Sequence, residues 1–114
     1  MTDRDKDILN RIVNKIETND ISYIKLIEDN WIRIKLRSNK GNIHIEVNDY
    51  LIHLFADSTL FGRYIRVRLI DRFSRDIFDV ILKRKDKDEY ERFRNLFIEM
   101  KNKVNEEDIN RILD

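Results

Sequence analysis

Apolar and polar positions alternate strictly along two paired stretches of this chain. Ile32, Ile34 and Leu36 alternate with Arg33, Lys35 and Arg37, and after Ser38-Asn39-Lys40-Gly41, Ile43, Ile45 and Val47 alternate with His44 and Glu46. A period of two marks a strand with one buried face. Folding about the short link, with Gly41 supplying positive φ, sets Ile34 opposite Ile45, Leu36 opposite Ile43 and Arg33 opposite Glu46. A second hairpin is predicted further on. Ile65, Val67 and Leu69 alternate with Arg66 and Arg68, a turn falls at Arg72-Phe73-Ser74-Arg75, and Ile77–Lys83 returns. Its register sets Leu69 opposite Phe78, Val67 opposite Val80 and Arg68 opposite Asp79.

Between and around these hairpins the period changes. Ile8, Leu9, Ile12, Val13 and Ile16 recur at three- and four-residue spacing, predicting a helix over 3–18 capped by Thr2 or Asp3. A strand is expected over 21–28, and Asp29-Asn30 would turn it into Trp31. Residues 48–56 alternate as a strand buried on both sides, although Tyr50, Leu51, Leu54 and Phe55 also fit a helical stripe; the strand is favoured. From Asp86 to Lys103, Tyr90, Phe93, Phe97, Met100 and Val104 form a heptad-like stripe, with Asp86 and Glu89 spaced as a capping box. A short separate helix is predicted from Asn105, with Ile109, Ile112 and Leu113 facing inward or toward a partner. The sum is α+β: an N-terminal helix, an antiparallel meander of about six strands, a long amphipathic helix and a short terminal one.

Composition narrows the class. At 114 residues the chain is read as one domain, residues 1–114, since either half would bury too little core. Charged residues make up 39% and the net charge is +1, so a polybasic, histone-like role is excluded and any nucleic-acid role needs locally segregated charge. Cysteine is absent, which removes disulfides and thiolate chemistry. No apolar run approaches the roughly 20 residues of a membrane span, and the N-terminus lacks a signal pattern, so a cytoplasmic protein without a membrane partner is expected. Abundant Ile, Asn, Asp and Lys without Pro or Gln suit an A+T-rich genome, and a viral or mobile-element origin fits.

Candidate chemistry is sparse. Arg33, Lys35 and Arg37 share one strand face and Arg66 and Arg68 another, with Arg63, Trp31 and Tyr64 beside them. Cations with aromatics on an open sheet can hold phosphates and stack bases. The plainer reading is a wet sheet face, with Glu46 and Asp79 partly neutralising it. His44-Ile45-Glu46 resembles the paired-histidine metal motif of strand-nicking replication enzymes with Glu in the second histidine's place. Such an enzyme needs a helical tyrosine nucleophile, whereas Tyr90 lies in the apolar stripe, and His53 is expected on the opposite side of the domain from His44. Neither a phosphate-cradling glycine loop nor a nucleophile elbow occurs, so an enzyme, a cofactor and a small-molecule substrate are not indicated. The expectation is a non-enzymatic module acting through protein contacts, with Ile109, Ile112 and Leu113 as partner-binding residues in a protein complex or a homodimer. Nucleic-acid binding through the basic face is the alternative, and a nuclease around His44 and Glu46 a distant third.

Overall fold

A computed structural model describes residues 1–18, 23–27, 41–47 and 49–113. Helix α1 (Asp3–Glu17) begins where predicted, with the Asp5 amide donating to Thr2 Oγ1 at 3.1 Å. Its stripe of Leu9, Ile12, Val13 and Ile16 is buried. Among the described residues five strands follow: β1 (Tyr23–Ile27), β2 (Gly41–Val47), β3 (Tyr50–Thr59), β4 (Gly62–Ile70) and β5 (Asp76–Lys83). They form one antiparallel sheet in the order β1-β2-β3-β4-β5, a meander. Helix α2 (Lys87–Leu113) closes the chain.

Alternation decides which face each strand buries. Ile43 and Ile45 on β2, Ile52, Leu54 and Ala56 on β3, Ile65 and Val67 on β4, and Leu82 on β5 enter one core. Against them pack the α1 stripe and Tyr90, Phe93, Leu96, Phe97 and Met100 of α2. Both helices therefore cover the same sheet face, as the α+β pattern requires. The segment from Tyr50 onward is a strand and not a helix: β3 is central in the sheet and half-buries Leu51 and Phe55 on its outer side. No helix among the described residues is long and apolar enough to cross a membrane.

The second predicted hairpin is present in its expected register, Val67↔Val80, Arg68↔Asp79 and Leu69↔Phe78. Its turn is organised by Asp71, whose carboxylate accepts from the Phe73 amide, the Arg75 amide and Arg75 Nε, all within 2.9 Å. Those bonds, the one from the Arg75 amide foremost, hold the Asp71 carboxyl below its usual range. Ser74 takes φ 63 at the tip.

Three expectations are corrected. The described sheet has five strands rather than about six. Strand β2 is flanked by β1 and β3, with Ile24 and Leu26 standing where Ile34 and Leu36 were expected beside Ile45 and Ile43, and Tyr23 at the place of Arg33 beside Glu46. Residues 29–40, with the turn at Asp29-Asn30 and the predicted strand 31–37, lie outside the described residues. Finally, the C-terminal helices are one continuous helix. The apolar stripe leaves the core face after Val104, but the backbone bonds run on through Asn105, Glu106 and Glu107, none of which breaks a helix. Asp86 does stand just before α2, its carbonyl accepting from the Tyr90 amide at 2.8 Å. Its carboxylate, however, accepts from the Lys83 amide at 3.1 Å and so ties the helix start back to β5.

Candidate functional site

The sheet face away from the helices carries the polar half of each alternation. Opposite one another in register on β2 and β3 are His44 and His53, their rings edge to face at 4.6 Å. Both histidines are thus on the same side of the domain, contrary to expectation, because the β2–β3 register pairs them directly. His53 is only 8% exposed despite lying on the outer face. Its Nδ1 lies 3.3 Å from Arg68 Nη1 and its Nε2 2.6 Å from Asn42 Oδ1. Arginine can only donate, so Nδ1 accepts, Nε2 carries the proton, and that N–H donates to Asn42. Burial first, then the His44, Arg68 and Arg66 charges, push the His53 pKa down to about 4.

A pH dependence follows. The unfolded chain takes up this proton near pH 6.5 and the folded one near 4, so His53 favours folding fully above about pH 6.5 and less as the pH falls toward 4. Wild-type stability is expected to drop by about 2–3 kcal/mol across that window through this group, and His53→Gln to flatten the slope. Urea titrations at several pH values check this; an unchanged slope in the variant contradicts it.

The same face neutralises its own arginines. Arg66 Nε donates to Asp79 Oδ1 at 2.8 Å, with a second bond from Nη2 to Oδ2. Arg68 donates through Nε and Nη2 to Asp76 Oδ1 at 3.1 and 2.7 Å. Arg66 also holds the Asp79 carboxyl below its usual range by those hydrogen bonds. Arg68, embedded between His53 and Asp76, is a structural group. Of the basic face drawn from the sequence, Trp31, Arg33, Lys35 and Arg37 lie outside the described residues, and Arg66 and Arg68 are ion-paired. Glu46 lies two residues from His44 on β2, and no cluster of three metal-competent His, Asp or Glu side chains occurs among the described residues.

Charge and aromatics do meet at the end of the sheet where β3 turns into β4. There Leu60 and Phe61 form a two-residue turn and are fully exposed, with the Phe61 amide donating to Thr59 Oγ1 at 3.1 Å. Gly62 follows at φ 119, a conformation a side chain would strain. Beside this turn β5 ends at Lys83, and the Asp86 amide donates to the Lys83 carbonyl at 2.9 Å. That tight link carries Arg84 and Lys85, brings Lys87 alongside, and starts α2 next to Arg63.

Two clefts result. One, of about 600 Å³, has Phe55, Phe61, Tyr64 and Ile81 as its apolar wall and Arg63, Arg66, Lys83, Arg84 and Lys85 around it. The other, of about 350 Å³, is lined by Arg63, Arg84, Lys87 and Arg94 with Tyr90 and a single carboxylate, Glu91. The clefts share Arg63 and Arg84. Arg63, Arg84, Lys85, Lys87 and Arg94 have no ion pair among the described residues. Four cations against one carboxylate suit an anion, and the neighbouring aromatic wall suits a flat ring.

Arg63 and Tyr64 were legible as candidates in the sequence. Phe61, Arg84, Lys85, Lys87 and Arg94 were not, although the run Lys83-Arg84-Lys85-Asp86-Lys87 ahead of an apolar helical stripe was the available signal. The partner-binding candidates Ile109, Ile112 and Leu113 lie elsewhere, exposed at the far end of α2. No protein-family model matches the chain, and no curated protein or solved structure matches it.

Proposed function

We propose that this chain is a non-enzymatic binding module whose ligand is single-stranded nucleic acid, held where the β3–β4 turn meets the start of α2. The observation that carries the reading is the pair of clefts sharing Arg63 and Arg84. An aromatic wall for a base adjoins a cationic cleft for its phosphate, the two joined through Arg63 and Arg84. Stacking on Phe61 and Tyr64 is open to every base and therefore tolerant of sequence, whereas phosphate contacts supply most of the affinity. In a duplex the bases are already stacked on one another, so single strands are the preferred form.

Salt dependence tests this. Four phosphate contacts on a single strand give a log–log slope of about −3, so affinity should fall roughly 50-fold between about 50 and 200 mM salt. Fluorescence anisotropy with labelled DNA and RNA, single- and double-stranded, reads it directly. Absent or salt-insensitive binding overturns the reading, and binding to anionic vesicles instead would assign the exposed Leu60-Phe61 turn to a lipid surface. The protein contacts expected from the sequence find their support at the opposite end of α2.

A further inference from the structure

The stripe of α2 that enters the core runs through Tyr90, Phe93, Phe97, Met100 and Val104, all buried. Continued at 3.6 residues per turn, it reaches Glu107 and Arg111, which are exposed and polar. Ile109, Ile112 and Leu113 lie on a different face, centred roughly 130° around the axis from that stripe. They are 47%, 80% and 77% exposed. Glu106, three residues before Ile109 and seven before Leu113, belongs to the same face. The last turns of α2 thus form a short amphipathic helix aimed away from the core of its own chain.

A receiving surface of matching character exists elsewhere. Between α1 and the sheet, where β3 begins and β5 begins, lies a groove of about 660 Å³ walled by Ile12, Val47, Tyr50, Leu69, Ile77 and Phe78. Tyr50 and Ile77 are half exposed there. The charged residues among its lining are Arg11 and Lys15, both basic. Arg11 holds only a 3.8 Å, solvent-exposed pair with Asp7. An apolar groove with a basic rim complements an apolar helix face with an acidic residue on it, and anchors at i, i+3 and i+4 are the spacing by which a helix fills such a groove.

We propose that the chain associates with a second copy of itself, the Ile109–Leu113 face of one copy seated in the α1–sheet groove of the other, with Glu106 against Arg11. The contact joins unlike surfaces, so two copies close it reciprocally or successive copies extend it. It uses none of the residues of the proposed nucleic-acid clefts, and each reading stands or falls without the other.

Sedimentation equilibrium of the full chain without nucleic acid tests it. The expected result is a mass that rises with concentration, with association weakened at least about tenfold in Leu113→Glu and likewise in Tyr50→Glu, a loss typical of a desolvated anchor. Leu113 and Tyr50 are exposed, so circular dichroism should show both variants folded. Arg11→Glu and Glu106→Arg should each weaken association, and an equimolar mixture of the two should recover it. A wild-type chain that stays monomeric overturns the proposal, as does association that survives in both Leu113→Glu and Tyr50→Glu, or charge variants that do not recover on mixing.

Discussion

Phe97→Ala is expected to destabilise the domain by about 3–5 kcal/mol, the usual cost of emptying a buried aromatic site. Phe97 is fully buried in the α2 stripe, and α2 touches all five strands as well as α1. The surrounding side chains come from elements fixed by the sheet ladders, so collapse around the void is restricted. Domains of this kind are stable by only about 5–15 kcal/mol, so the loss takes roughly a fifth or more of the total. In urea the midpoint should fall while the slope with denaturant stays constant. Ile112→Ala, at the exposed end of the same helix, should change the stability of the isolated chain by less than about 0.5 kcal/mol. Similar effects from both substitutions would contradict the placement of the core.

The second large effect concerns binding. Arg63→Glu combined with Arg84→Glu should weaken single-stranded oligonucleotide binding by about 100-fold or more at low salt. Each substitution removes a phosphate contact and adds a repulsive charge, so the salt slope should also lose about two phosphates' worth. Both residues lie in both clefts, and Arg63 is exposed with no ion pair among the described residues, so the fold should persist. Arg68→Gln should behave in the opposite way. It breaks the bonds to Asp76 and His53, lowering stability, and leaves nucleic-acid affinity near the wild-type value.

The contrast between Arg63 and Arg68 shows what a linear pattern can carry. Alternation placed Arg68 outside the core, while Arg63 lay just ahead of the alternating run, and the β4–β5 register came out correctly because a turn of fixed length joins two clean runs. The same logic misassigned the partner of β2 for a definite reason. Ile-Lys-Leu occurs twice, at 24–26 and at 34–36, and either copy offers the same residue types for the register positions opposite Ile45 and Ile43. Side-chain pattern cannot separate identical tripeptides, and a preference for the shorter loop chose the wrong one. The end of α2 was misjudged because a change of apolar face looks like a break, although a helix backbone continues wherever no residue prevents it. Pairing was the least legible property. Whether Arg66 and Arg68 are free or bound to Asp79 and Asp76 depends on diagonal contacts across a twisted sheet. The clefts depend on the β3–β4 turn at 60–61 and the β5–α2 link at 84–85 meeting in space.

Mapping amide chemical shifts during titration with a single-stranded oligonucleotide tests the central assignment most directly. Gly62, Arg63 and Tyr64 are expected to move together with Lys83, Arg84, Lys85 and Lys87, while His44, His53 and Arg68 at the middle of the sheet stay in place. Shifts centred on the middle of the sheet, or none at saturating oligonucleotide, would contradict it.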